Sequence, residues 1–165
     1  LGSFTIACCR RSPHLRATIV EHPRVAIFTS RAVENAKVAK QVQVIALDIV
    51  KDPLPRGFDL VLISNVLHGQ GVKENRVLLR SAYRCLNQGG RIVLRDVLMN
   101  RAGTHPVFGA LFSVALLLHT PKGRCYALDE VCGWIRAAGF SSIQGPFPSS
   151  PLAFDPDSVL IAEKS

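Results

Sequence analysis

Aromatic residues are scarce: of 165 residues, 7% are aromatic, with one Trp and two Tyr. A surface that stacks nucleobases interleaves aromatic and basic side chains, and no such stripe occurs here. The formal charge of +8 is spread over Arg10, Arg11, Arg16, Arg24, Arg31, Lys37, Lys40, Lys51, Arg76, Arg80 and Arg84, among others. Scattered charge attracts polyanions without reading their sequence, so it is read as solvated surface and no specific nucleic-acid partner is expected. Also lacking is an uninterrupted apolar run of the roughly 18 residues that a helical membrane span needs. The longest apolar stretch, Val107 to Leu118, contains Gly109 and Ser113 and lies between Pro106 and Pro121. No membrane partner is expected. The first residues lack the basic, apolar, small-residue order of a signal peptide, which leaves the cytoplasm as the expected compartment. The cysteines (Cys8, Cys9, Cys85, Cys125 and Cys132) match neither a disulfide framework nor zinc-site spacing. His105 and His119 stand apart from any ligand-like cluster, so no metal is expected.

What is present is the composition of one globular domain, with 48% hydrophobic residues and prolines and glycines spread along the chain. Residues 1–165 are read as a single domain. Helical spacing covers Phe4 to Arg11, Val25 to Ala39, Lys73 to Leu86, Val107 to Leu118 and Leu128 to Ala138. Strand composition covers Arg16 to Val20, Val42 to Ala46, Phe58 to Ile63, Ile92 to Leu94, Ser141 to Gln144 and Ser158 to Ala162. In the third helix, Val77, Leu78, Ala82, Cys85 and Leu86 form one buried stripe, and Gly89 and Gly90 are expected to stop it. Strands alternating with helices predict an α/β fold around a mostly parallel sheet. The last two strands, with no helix between them, predict an antiparallel edge hairpin. Gly145 to Pro156 is read as a loop inside the domain.

Ligands of open α/β sheets bind beyond the C-terminal ends of strands. Glu21 directly follows Ala17-Thr18-Ile19-Val20, where a carboxylate can accept both ribose hydroxyls or serve as a solvated turn acid. Asp48 follows Val44-Ile45-Ala46-Leu47 and can accept from an adenine amino group or order its loop. Two carboxylates at successive strand ends favour a nucleotide site. His68 lies just past the Phe58 to Ile63 strand; an unperturbed imidazole titrates near about 6.5, suited to taking a proton near neutrality. Asp96 lies past Ile92 to Leu94, and a carboxylate accepting from an imidazole N–H fixes its tautomer. Arg95 is expected on the opposite strand face.

These segments together resemble a known family. Gly2-Ser3-Phe4-Thr5-Ile6-Ala7 is similar to the exit of the glycine-rich loop of class I S-adenosylmethionine-dependent O-methyltransferases. The segment from Ala17 to Val25 resembles their ribose-binding stretch, and Asp48 with Asp52-Pro53-Leu54-Pro55 their adenine-side segment. Asn65-Val66-Leu67-His68 resembles their catalytic-histidine segment, and the likeness continues through Gly89-Gly90-Arg91, Asp96-Val97-Leu98 and Ala137-Ala138-Gly139-Phe140.

The resemblance implies a Rossmann-like methyltransferase sheet and methyl transfer to a hydroxyl of a small, aromatic or secondary-metabolite acceptor. S-adenosylmethionine would be the cofactor and S-adenosylhomocysteine the product, with no metal. It implies cofactor contacts from Gly2, Glu21, Asp48, Ile49, Ser64 and Asn65, and catalysis by His68 with Asp96. Met99, Phe108, Phe112, His119 and Cys125 would face the acceptor, although helical spacing from Phe108 to Leu118 equally describes a core helix. The family's first strand and most of its glycine loop have no counterpart here. The chain is therefore expected to be incomplete, the dimerisation domain lying outside it. A homodimer through that domain, or a second chain completing the fold, is the expected assembly. The family's Asp-Trp after the histidine is Gly69-Gln70 here, and the carboxylate flanking the histidine is Cys125. These departures point to an easily ionised phenol, another acceptor atom or an inactive methyltransferase-like binding domain. A nicotinamide-dependent reductase is a further alternative, since Glu21 suits that ribose too. It is disfavoured by the edge hairpin and the lack of a reductase-like Tyr/Lys pair. A basic nucleic-acid module rests on charge alone.

Overall fold

The computed structural model describes residues 2–148 and 157–165. They divide into two compact units, 1–54 and 55–165, each of which is taken by itself.

In the first unit, α1 (Ser3–Arg11) leads to β1 (Ala17–Glu21), α2 (Pro23–Asn35) and β2 (Val42–Ala46). β1 and β2 pair in parallel with Ala17 opposite Val42 and Glu21 opposite Ala46. Cys9, Ile19, Val33, Val38 and Val42 form the core between helices and strands. α2 begins two residues before its expected start because Pro23 supplies a pre-set first-turn φ and His22 caps it, accepting from the Arg24 amide. It also ends at Asn35 rather than Ala39, since Lys37 takes a left-handed φ of 59° that a helix cannot continue through. Gln41 Nε2 donates to the carbonyls of Cys9, Ser12 and Leu15, tying down the loop between α1 and β1.

The second unit contains β3 (Phe58–Ser64), α3 (Val72–Cys85), β4 (Leu86–Asp96), β5 (Leu98–Met99) and α4 (Val107–His119). β6 (Tyr126–Ala127), α5 (Leu128–Ala137), β7 (Ser141–Pro148) and β8 (Ser158–Glu163) complete it. Its main sheet runs β3-β4-β8-β7, with β3 and β4 parallel and β8 antiparallel to both β4 and β7. The predicted edge hairpin is thus present, and the sheet is mixed. β5 and β6 form a separate short parallel pair that the sequence pattern did not reveal. Among the described residues no helix is long and apolar enough to cross a membrane.

Three expectations are corrected. α3 ends at Cys85, where Leu86 turns extended (φ −78°, ψ 143°). The Gly89-Gly90 pair therefore does not stop the helix. It lies in the irregular start of β4, where pairing with β3 jumps from Phe58–Leu86 to Leu60–Arg91 and Gly89 takes φ 73°. The buried stripe of α3 is Asn75, Leu78, Leu79, Ala82 and Cys85, with Val77 only half-buried. The proposed loop from Gly145 begins instead as the end of β7; its remainder, 149–156, lies outside the described residues.

Period-two alternation along β4 positions the chemistry. Ile92, Leu94 and Asp96 are all buried on one face, at 0%, 0% and 1% exposure. Asp96 is the polar end of an apolar row, while Arg95 turns to the other face.

Candidate active site

β3 ends at Ser64, Asn65 takes φ 55°, and the chain enters a 3₁₀ turn over Leu67–Gly69. That turn brings His68 against the end of the neighbouring strand, β4. His68 Nδ1 lies 2.7 Å from Asp96 Oδ1. The same carboxylate accepts the Leu67 amide on Oδ2 at 2.9 Å and the Val97 amide on Oδ1 at 2.9 Å. Two backbone donors stabilise a buried anion, and an anion there requires Nδ1 of a neutral imidazole to carry the proton. Nε2 then holds a free lone pair, the form a general base needs.

The wall beside the imidazole is aromatic. The Phe112 ring meets His68 edge-on with centroids 5.0 Å apart, and Phe108 stacks on Phe112 at 5.6 Å. Beneath α4, Met99 packs with Val97, Leu116 and Cys125 in a buried cluster, so Met99 is core below this wall. Cys125 is buried, its amide donating to Ser113 Oγ. Burial pushes its thiol up, against a lowering by the Ser113 hydrogen bond, and the Asp96 charge adds to the rise. The thiol is therefore neutral at physiological pH. His119 is exposed, with Nδ1 2.8 Å from the Ala115 carbonyl of its own helix.

Ser64, the last residue of β3, precedes Asn65, whose amide N–H donates to the Arg95 carbonyl at 2.8 Å. With its side-chain oxygen turned toward Arg95, the Asn65 amide accepts from Nη1 at 2.8 Å and donates to Asp157 Oδ2 at 3.3 Å. Arg95 Nη2 lies 2.6 Å from the same Asp157 oxygen. The second unit thus closes β3 and β4 with a polar cluster on the face opposite Asp96.

In the first unit, Gly2 has φ 69°, and a Cβ there would stand 2.5 Å from Ile19 Cδ1. The position takes no side chain, and the backbone at the start of α1 stays accessible. Glu21 is half-buried at the end of β1, where its Oε1 accepts from Thr29 Oγ1 at 3.3 Å. The Thr29 hydroxyl thereby orients the Glu21 carboxylate. Asp48 is differently engaged. Its Oδ1 accepts from the Val50 and Lys51 amides and its Oδ2 pairs with Lys51 Nζ at 3.0 Å. The Lys51 contact, then the Val50 amide, hold its carboxyl below the usual range. Asp48 orders the loop that carries the half-buried Ile49.

The O-methyltransferase domain model matches residues 1–141. The chain belongs to the O-methyltransferase domain family. Its Rossmann-like fold is that of the family's catalytic part. It is 34% identical over 152 residues to a 3-hydroxy-5-methyl-1-naphthoate 3-O-methyltransferase of Streptomyces sahachiroi, covering 92% of this chain and 44% of that protein. An L-tyrosine C(3)-methyltransferase of Streptomyces lavendulae is also 34% identical, over 97% of this chain and 44% of its own length. Among solved structures, an O-methyltransferase family 2 protein of Planctomyces limnophilus, in complex with apigenin, superposes with a TM-score of 0.88 at 32% identity. That match covers 99% of this chain and 47% of the other. This O-methyltransferase domain therefore spans less than half the length of these relatives.

Asn75 and Tyr126 escaped the reading of the sequence. The signal for Asn75 was a polar residue inside the apolar stripe of α3. Tyr126 had none beyond its place next to Cys125.

Proposed function

We propose that this domain serves methyl transfer from S-adenosylmethionine to the hydroxyl of a small aromatic acceptor, with His68 as general base. The observation that carries the reading is the 2.7 Å contact of His68 Nδ1 with a buried carboxylate that two backbone amides already hold as an anion. When bound, the cofactor supplies an electrophilic methyl carbon on a sulfonium, so one C–S bond breaks as one C–O bond forms. His68 Nε2 takes the acceptor proton, and Asp96 stabilises the resulting imidazolium. Phe112 and Phe108 offer a flat apolar wall that orients an aromatic ring and keeps water away. On the first unit, cofactor contacts are proposed from the backbone at Gly2, from Glu21 on the ribose and from the Asp48–Ile49 loop. Met99 and Cys125, the latter a neutral thiol, lie as core beneath this wall, and His119 is turned to its own helix. The neutral thiol leaves His68 one carboxylate partner, which favours an acceptor whose hydroxyl ionises readily. We further place the whole protein in the cytoplasm as a homodimer. Support for a partner surface is the exposed apolar row of Val107, Leu111, Val114 and Leu118 along α4.

Replacing His68 tests the reading. In the complete polypeptide, His68→Ala should keep S-adenosylhomocysteine binding and slow single-turnover methyl transfer by about 10² to 10⁴. A wild-type rate at saturating cofactor and acceptor removes His68 from the chemistry.

A further inference from the structure

The turn that carries His68 is built from a backbone with little stiffness of its own: glycine occupies two of the three positions after it, Gly69 and Gly71. A general base nevertheless has to be held within a fraction of an ångström of its line of attack. In this structure the constraint comes from outside the turn, and from residues with no part in the proton transfer.

Leu67 is 1% exposed. Its amide is spent on Asp96, and its carbonyl accepts twice, from the Gln70 amide at 3.0 Å and from Asn75 Nδ2 at 3.0 Å. At the other end of the turn, the Gln70 carbonyl accepts the Tyr126 hydroxyl at 2.5 Å. Burial pushes the Tyr126 phenol up, so it stays a donor. Its ring is held edge-on by Trp134, centroids 4.9 Å apart, with the Arg124 guanidinium 4.4 Å over it. Between these two bonds the His68 carbonyl lies against Gly123, where a Cβ would stand only 2.4 Å away.

Asn75 is costly where it stands. It is fully buried, and its Oδ1 has no hydrogen-bond partner among the described residues, a penalty that an apolar residue in the same helical stripe would avoid. The Leu67 carbonyl does not need it, since the Gln70 amide already satisfies that oxygen. A bond that is dispensable for satisfying the backbone, made by a residue that burdens the core, is explained by what it fixes.

We propose that Asn75 and Tyr126 are positioning residues for His68, gripping the carbonyls at the two ends of its turn so that the ring stays on Asp96 with Nε2 presented outward. This rests on His68 being the base, but its first readout does not require activity.

The test uses the complete polypeptide with ring-¹⁵N histidine, the His68 signals being assigned by their loss in His68→Gln. Wild type should show one His68 tautomer, with the proton on Nδ1. Tyr126→Phe removes one oxygen and keeps the ring packing; Asn75→Leu removes the donor and the orphaned acceptor together. Each should give a tautomer mixture or exchange-broadened His68 signals, with unchanged S-adenosylhomocysteine affinity. Single-turnover rates should fall about tenfold while the acceptor KM stays nearly constant. Wild-type nitrogen shifts and rates in both variants overturn the proposal, as does a rate loss matched by loss of cofactor affinity, which marks a general structural defect. If Asn75→Leu fails to fold, Tyr126→Phe decides alone. A positioning failure leaves the His68→Ala result untouched, so the two readings fall separately.

Discussion

Gly109 lies so close to Met99 that a Cβ on the glycine would stand 2.3 Å from the methionine sulfur, and 2.9 Å from Val97 Cγ1. The contact sets how near α4 comes to β5, and α4 carries the Phe112 ring that touches His68.

Gly109→Ala should therefore push α4 off its cluster at a cost of about 1–3 kcal/mol, the usual penalty of overpacking. Thermal unfolding of the complete protein checks this. An unchanged midpoint in this variant contradicts the close approach.

Asp96→Asn removes the anion while keeping a similar shape. One of the three donors on the carboxylate must then face an amide NH₂, which should destabilise the fold by about 1–3 kcal/mol. Methyl transfer should fall by about 10² to 10⁴, because the imidazole loses its tautomer control and the partner for its charged form. Urea unfolding and single-turnover kinetics read the two effects independently; full activity in this variant would sink the role given to Asp96.

Cysteine chemistry gives a pH prediction. Burial raises the thiols of Cys85, Cys125 and Cys132 above their ordinary 9.0, so the folded chain keeps these protons longer than the unfolded one. Their contribution is whole below the ordinary value and is lost as pH rises through the raised, folded values. Unfolding curves should show stability falling in that alkaline window. Iodoacetamide near neutral pH should label exposed Cys8 while sparing buried Cys85 and Cys125, and mass spectrometry finding Cys125 labelled first would contradict the burial.

Glu21→Ala should weaken S-adenosylhomocysteine binding about tenfold or more, since losing a charged hydrogen-bond acceptor commonly costs about 1–3 kcal/mol. Thr29→Val, which removes only the hydroxyl that orients Glu21, should have a smaller effect in the same direction. Calorimetry showing unchanged affinity in Glu21→Ala removes this carboxylate from the cofactor reading.

Much of this was legible because it depends on local periodicity. The strand at Val42–Ala46 has the expected bounds, and the apolar rows in β3 and β4 place His68 and Asp96 at neighbouring strand ends. Helix ends were less legible: the helices stop before Lys37 with positive φ and before Leu86 in extended geometry, positions where residue propensity gives no stop. The support around His68 was least legible. Tyr126 lies far in sequence from Leu67 and Asn75, and the grip on the turn runs through backbone carbonyls, which look the same at every residue. The Arg95–Asp157 ion pair was hidden because its two side chains meet only once β4 pairs antiparallel with β8.

The alternation of β4 makes chain length there a chemical variable. One residue inserted or deleted between Ile92 and Asp96 would exchange the two faces, presenting a guanidinium to the imidazole and burying a carboxylate against Asp157. The irregular stretch around Gly89 and Gly90, where pairing with β3 already skips residues, can absorb the same change without moving either charge. Related sequences should therefore vary in length before Arg91 and keep a fixed count from Ile92 to Asp96, a distribution of gaps that reports on charge placement rather than on the sheet's stability.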